Sequence, residues 1–402
     1  MKIHKPKLPK EIQIKGSKSE TNRLLILQKV LGAIEILNPS SSQDTELLKS
    51  ALASQNKIID VHNAGTAMRF LTSFFATQEG RETLLTGSER MKQRPISPLV
   101  EALQELGADI QYLERAGFPP LKIKGKKIEK SSVRIPAGIS SQFITSLILI
   151  GGSLASGLMI ELVGEITSRP YLEMTLKILK TLYPNAPISF QGQKIFIPYL
   201  LNAKLSQSSF IVESDWSSAS YFYSFAAIGR REIKLSNFKR DSLQGDAVVS
   251  KIYRNFFGVE TVFNDNEHSL SLIPKADFSR PTEIHLDMND CPDIAQTVCV
   301  TAAAMQIPFT IEGLATLKIK ETDRLLALHN ELKKLGCHTE TSHCSIKTLH
   351  YTKPELPISI KTYDDHRMAM SFAPYSLLQE IEIQNPEVVE KSYPEFWKDL
   401  GI

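Results

Sequence analysis

Acids and bases crowd together at one point of this chain in a way that suits proton transfer beside an anion. The run KIKETDRLLAL at 318–328 sets Lys320, Glu321, Asp323 and Arg324 within five residues. A carboxylate flanked by cations is held ionised, and burial can poise it to shuttle a proton. Glu321 is therefore the leading acid–base candidate, although Thr322 and Asp323 also suit the plain start of a helix. Asp293 follows Pro292 ahead of an apolar run, the position of a helix cap, and is a second carboxylate available for proton transfer. His366 beside Arg367 could act as a base, but ranks below Glu321. Arg90, Arg94 and Arg367 lie in the short motifs RMKQRP and DDHRMAM, and arginine suits the bidentate grip of carboxylate and phosphate. Lys18 and Arg23 fall on the first turns of a predicted helix, with Ser19 and Arg23 four apart on one face. Cations there oppose the helix dipole, so a pair of them implies an anionic partner.

The elements that must position these side chains recur. Six clusters of small polar or charged residues each run into an apolar stretch. They are GSKSETNR at 16–23, NAGTAMR at 63–69, SSQF at 140–143, SDWSSAS at 214–220, DCPD at 290–293 and YDDHR at 363–367. Their starts are 47, 77, 74, 76 and 73 residues apart. A spacing that long indicates a repeated βα unit rather than a stacked solenoid. Each cluster would open a helix and present its unpaired N–H groups and positive dipole end, as anion sites do. Six such ends facing one cleft would receive a polyanionic small molecule. A second type of helix is amphipathic and ends at glycine: 97–106 before Gly107, 245–257 before Gly258 and 321–335 before Gly336. Strands follow at 108–112, 259–263 and 338–341, which gives mixed α/β sheets.

At 402 residues the chain suits two domains. The clusters divide three and three around residue 212, and the extended segment 1–14 could join either half. With 47 basic and 44 acidic residues, net charge is only +3, so no global field points to nucleic acid or membrane. The charge-free stretch 143–160 nominally reaches spanning length, but its glycines and serines break it into a buried helix and a strand at 158–163. Four cysteines and the lack of a signal-like N-terminus predict reduced thiols in a cytoplasm. CHTETSHC at 337–344 lacks zinc spacing and is expected to be a surface hairpin, not a metal site. Walker A, GxGxxG and GxSxG motifs are absent.

GSKSxxNR, NAGTAMR, TGxxRMKxRPI, SSQF, SRPY, SDxSSASYF, KETDRL and DHRMAM, in that order, resemble the enolpyruvyl transferases, most closely the branch acting on shikimate 3-phosphate. The resemblance runs from Gly16 to Lys391. It implies two inside-out, barrel-like α/β domains of three βαβαββ repeats each, expected at 15–212 and at 1–14 plus 213–402. It implies transfer of the enolpyruvyl group of phosphoenolpyruvate to shikimate 3-phosphate, in the route to chorismate and the aromatic amino acids. Two phosphates and two carboxylates bring a charge of about −5 to −6, which accounts for the cations. Carried over by residue, Lys18, Ser19, Arg23, Ser140, Ser141, Gln142, Ser168, Tyr171, Asp293, Thr316 and Lys320 would hold shikimate 3-phosphate. Lys18, Gly65, Thr66, Arg94, Gln142, Arg324, Arg367 and Lys391 would hold phosphoenolpyruvate. Lys18, Asp293 and Glu321 would be catalytic, Asp293 taking the proton of the 5-hydroxyl and Glu321 protonating the methylene carbon. No cofactor and no metal is implied, and a cytoplasmic monomer without nucleic-acid or membrane partners is expected, with glyphosate competing for the phosphoenolpyruvate site. Phe70 stands where the family often has proline, and Thr316 where many members have asparagine. Two alternatives stay open: the sister transfer to UDP-N-acetylglucosamine, disfavoured because no cysteine lies in TGSERMKQRP, and a non-catalytic anion-binding scaffold, disfavoured by Asp293 and Glu321.

Overall fold

Each of the six polar clusters opens a helix in the computed structural model, which describes residues 1–32 and 34–402. The helices are Lys18–Leu31, Gly65–Ala76 and Ser141–Gly151, then Trp216–Gly229, Ala295–Ala304 and His366–Phe372. Ser17, Ser140, Asp215 and Asp365 cap four of them, each side chain accepting a backbone N–H of the first turn. Asp293 does not cap. It lies in a 3₁₀ turn, Pro292–Ile294, and Ile294 takes the cap position. All but Lys18–Leu31, which keeps Lys29 exposed, are buried almost all round: Gly65–Ala76 except at Thr66, and His366–Phe372 throughout. A helix without a polar face must sit inside its unit.

The chain forms two compact units, residues 17–212 and residues 1–16 with 213–402. In the first, the helices Lys18–Leu31, Gly65–Ala76 and Ser141–Gly151 pack on one another. Two four-stranded sheets belong to this unit. One runs Ile58–Asp60, Glu82–Thr86, Leu121–Lys124, Asp109–Tyr112, its first pair parallel and the others antiparallel. The other runs Ser132–Pro136, Leu158–Val163, Lys194–Ile197, Ser189–Gln191 in the same pattern. In chain order each is strand, helix, strand, helix, strand, strand. The third repeat is reduced to a parallel pair, Glu35–Leu37 with Ser209–Ile211.

The second unit repeats this arrangement. Glu11–Ile12, Ile233–Ser236, Ser269–Pro274 and Val259–Asn264 form one such sheet, and Ile284–Asp287, Phe309–Glu312, Ile346–Tyr351 and Cys337–Thr341 another. The reduced repeat pairs Ile358–Ile360 with Ile381–Ile383, and Lys2–Ile3 adds the antiparallel strand from the other end of the chain. At the centre, Ser220, Thr297 and Ser371, one from each inner helix, are linked by hydroxyl contacts of 3.2 Å, which satisfies polar groups in an otherwise apolar core.

Helix ends depart from expectation in two places. Residues 245–257 split into a 3₁₀ turn, Gly245–Val248, and a helix, Val249–Phe256. The helix expected from residue 321 starts at Arg324, because the Asp323 side chain caps it by accepting from Leu326 N–H. Lys320 and Glu321 thus lie before the helix and do not share a helical face with Arg324. The hairpin expected at 337–344 forms but is longer, pairing Cys337–Thr341 with Ile346–Tyr351, and Cys337 is buried rather than on the surface. Among the described residues no helix is long and apolar enough to cross a membrane, and no group of three His, Cys, Asp or Glu side chains is placed to hold a metal.

Candidate active site

In the unit containing residues 213–402 the expected acids and bases converge. Arg324 starts its helix at 2% exposure, and its guanidinium meets three carboxylates. Nε lies 2.6 Å from Asp365 Oδ2, Nη2 lies 2.9 Å from Glu321 Oε2, and Nη1 lies 3.2 Å from Asp293 Oδ1. Asp293 also meets Lys320 Nζ at 3.4 Å and Arg367 Nη2 at 3.2 Å. Lys391, ending a 3₁₀ turn, places Nζ 3.7 Å from Glu321 Oε1. Four cations and three carboxylates thus share one web, although only Glu321 and Arg324 belong to the same local motif as Lys320.

Electrostatics follow from this packing. Burial pushes the Asp293 carboxyl up, but Arg367, Lys320 and Arg324 together outweigh it and hold the group well below the usual carboxylate range. Burial lowers Arg324, yet Asp365, Glu321 and Asp293 raise it above the ordinary guanidinium value. A fourth carboxylate, Asp246, is hydrogen-bonded by the Ser217 hydroxyl, to which Arg367 Nη2 donates at 3.5 Å. Burial, with Asp293 nearby, pushes Asp246 up to about 6. His366 is buried with Nδ1 3.8 Å from Asp365 Oδ1. Thr316 lies in the 3₁₀ turn Ala315–Ile319, its hydroxyl buried and without a hydrogen-bond partner among the described residues.

The unit of residues 17–212 carries the other candidates. Lys18 begins its helix and pairs with Asp44 at 3.1 Å. Arg23, one turn on, donates to the Ser19 carbonyl at 2.7 Å, to Thr175 Oγ1 at 2.8 Å and to the Tyr171 carbonyl at 3.1 Å. Burial lowers Arg23 to about 10, against the smaller raising effects of Tyr171 and Glu20. Its guanidinium lies 5.8 Å from the centre of the buried Phe70 ring. Ser140 caps the helix that begins at Ser141, and Gln142 in its first turn donates to Thr66 Oγ1 at 3.2 Å. Gly65 admits the buried Arg94: a Cβ there would lie 2.8 Å from Arg94 Nη1. Ser168 precedes the helix Arg169–Leu182 with φ of 54°, and Tyr171 lies in that helix's first turn. Candidates from motifs far apart in sequence therefore meet in small groups: Ser19 with Arg23 and Tyr171, Gly65 with Arg94, Thr66 with Gln142.

Sequence reasoning passed over Asp365, Asp246, Ser217, Asp44 and Thr175. Asp365 carried a signal, since it belongs to DHRMAM and precedes a helix. Asp44 and Thr175 carried none, because each matters only through a partner distant in sequence.

The chain matches the model of the family described as EPSP synthase (3-phosphoshikimate 1-carboxyvinyltransferase) over residues 29–400. It is 41% identical to a 3-phosphoshikimate 1-carboxyvinyltransferase of Bacteroides fragilis, over 97% of this chain and 94% of that one. It is 34% identical to the protein of that name from Colwellia psychrerythraea, over 98% and 97% of the two chains. In three dimensions it resembles a solved EPSP synthase of Acinetobacter baumannii with a TM-score of 0.71 at 20% identity, covering 100% of this chain and 97% of that one. That likeness gives the same two-domain α/β fold.

Proposed function

This chain belongs to the EPSP synthase (3-phosphoshikimate 1-carboxyvinyltransferase) family, and from that premise we propose how its residues divide the work. It transfers the enolpyruvyl group of phosphoenolpyruvate to shikimate 3-phosphate and releases phosphate. The observation that carries the assignment of roles is the web around Arg324, in which the protein's own carboxylates occupy cations suited to a substrate's.

Arg324 and Arg367 take the carboxylate of phosphoenolpyruvate, and Lys18, Arg94 and Lys391 its phosphate. Gly65 leaves room for Arg94, while Thr66 holds Gln142 between the two substrates. Arg23, with Lys18 and Ser19, takes the shikimate carboxylate end, and Ser140, Ser141, Ser168 and Tyr171 surround the 3-phosphate. Lys320 and Thr316 hold the ring hydroxyls. Asp293 receives the proton of the 5-hydroxyl. Its proton affinity is low while three cations face it, and a substrate carboxylate that engages Arg324 and Arg367 screens those cations and makes Asp293 a better base. The 5-oxygen attacks C2 of phosphoenolpyruvate as Glu321, which takes up a proton once the substrate's anionic groups engage Arg324 and Lys391, delivers that proton to C3 and gives a tetrahedral intermediate with a methyl group. The methyl group then returns a proton to the Glu321 carboxylate as the double bond re-forms and the C2–O bond to phosphate breaks, and the departing phosphate takes the proton held by Asp293. Fixed cations aimed at the oxygens where charge develops supply the stabilisation.

The chain is taken to act as a cytoplasmic monomer without nucleic-acid or membrane partners, with glyphosate competing against phosphoenolpyruvate. The test is phosphate release from phosphoenolpyruvate, with shikimate 3-phosphate present, absent, or replaced by UDP-N-acetylglucosamine. Release that depends strictly on the shikimate ester is expected. Release with the sugar nucleotide, or with neither acceptor, contradicts these roles.

A further inference from the structure

Two turns beyond Arg324, the same helix carries a buried acid that the mechanism does not use. Glu331 is 1% exposed. It lies seven residues after Arg324, hence on the same face and roughly 10 Å along the axis. Its Oε2 accepts from Lys334 Nζ at 2.6 Å and from the backbone N–H of Lys361 at 3.0 Å, and its Oε1 accepts from the Tyr363 hydroxyl at 2.8 Å. Lys334 also donates to the Ser359 carbonyl at 2.8 Å. The helix Arg324–Lys334 therefore clasps the segment 359–367 twice: through Glu331 and Lys334 at 359–363, and through Arg324 at Asp365.

Between the clasps the backbone is forced. Tyr363 and Asp364 both have φ of 55°, a left-handed conformation disfavoured for residues with a Cβ, more so for tyrosine than for aspartate. The turn closes with Asp365 N–H on the Thr362 carbonyl at 2.9 Å, and the Lys361 ammonium lies 5.0 Å from the centre of the Tyr363 ring. Directly after this turn comes Asp365, whose two oxygens hold Arg324 and the N–H of Arg367. A relaxed turn would displace Asp365, and with it both arginines.

We propose that Glu331 is a positioning residue for the transfer reaction, holding the left-handed turn at Tyr363 and Asp364 so that Asp365 sets Arg324 and Arg367. The proposal rests on the reading that those two arginines receive the carboxylate of phosphoenolpyruvate. Glu331 touches no substrate; it acts through the turn.

Steady-state kinetics of Glu331→Ala, Glu331→Gln and Tyr363→Phe test it, with Arg367→Lys as reference. Glu331→Ala is expected to raise KM for phosphoenolpyruvate roughly tenfold or more while KM for shikimate 3-phosphate stays within about twofold. Glu331→Gln keeps an acceptor and should recover part of that loss. Tyr363→Phe removes one hydroxyl from a half-buried ring, so it serves should Glu331→Ala fail to fold, and it should raise the same KM by about three- to fivefold. Combined with Arg367→Lys, its effect should be less than multiplicative, because part of it is exerted through Arg367. A folded Tyr363→Phe with both KM values and kcat unchanged overturns the proposal, as does a loss in kcat alone that tracks the folded fraction. If Arg367→Lys itself leaves KM for phosphoenolpyruvate unchanged, it is the assignment of the arginine that fails.

Discussion

Glu321 meets Arg324 and Lys391, and Arg324 has two other carboxylates to hold it in place, so replacing the Glu321 carboxyl should affect chemistry more than binding. Glu321→Gln keeps the size and loses the proton, and turnover should fall by about 10²–10⁴-fold with both substrates still bound. Equilibrium titration beside a turnover assay checks this, and near-normal turnover removes Glu321 from the mechanism. Asp246 gives a second prediction, on stability. Its carboxyl, pushed up to about 6 by burial first and by Asp293 second, is raised above its unfolded value. The native state thus holds the proton more tightly than the unfolded chain, and stability falls as pH rises from about 4 to 6, then levels off. Asp246→Asn keeps an acceptor for Ser217 and removes that penalty. The variant should be more stable than the parent at pH 7.5, by on the order of 2 kcal/mol, and the gain should shrink toward pH 4. Urea denaturation at both pH values decides it; a gain independent of pH means that Asp246 does not titrate there.

Helix starts do most of the positioning, and Gly65 shows how closely one can be fitted. It is the first residue of the helix Gly65–Ala76, and the Arg94 guanidinium lies where its side chain would be. Alanine suits that backbone and improves helix propensity, so Gly65→Ala should leave the melting temperature unchanged or slightly higher. Arg94 must move aside, and KM for phosphoenolpyruvate should rise roughly tenfold with KM for shikimate 3-phosphate little altered. An unchanged KM would show that Arg94 does not grip the phosphate. The starts themselves were legible in sequence, because a polar cluster before an apolar run is how a buried helix must begin. The boundary at residue 321 was not. Lys320 and Arg324 are four apart and imitate a helical pair, whereas the Asp323 side chain competes for the first-turn N–H groups and stops the helix short. Asp293 misled in the same way: its place before a helix fits a cap, but three neighbouring cations attract the carboxylate more strongly than a backbone N–H does. Those cations lie at 320, 324 and 367, and only folding makes them neighbours.

At the scale of the whole molecule the unit at 17–212 is an insertion within the other. Every strand pair of that unit lies inside it, from the parallel pair Glu35–Leu37 and Ser209–Ile211 to both four-stranded sheets. The other unit closes without it. Lys2–Ile3 pairs with Ile381–Glu382, Glu11–Ile12 pairs with Lys234–Leu235, and Gly16 bridges Ser214 antiparallel. Ile3, Leu8, Ile12 and Ile14 are buried in the same core as Trp216 and Phe222. The termini of the insertion therefore leave and re-enter at adjacent points, which short turns can join. A chain in which residues 1–16 run through a Gly-Asn-Gly turn into 213–402 should fold cooperatively, with Trp216 still buried on Phe238 and bonded to Glu213. Residues 17–212 expressed alone should do the same. Urea unfolding followed by circular dichroism, and for the first chain by Trp216 emission, gives the answer. Each piece should show a single transition with an m-value near half that of the full chain, since m scales with the surface exposed. Neither piece should release phosphate from phosphoenolpyruvate if the proposed roles hold, because they fall on Lys18 and Arg94 in one and on Glu321 and Arg324 in the other. A fragment that stays unfolded at low denaturant would mean that its core is completed only by its neighbour, despite a strand inventory that is closed on itself.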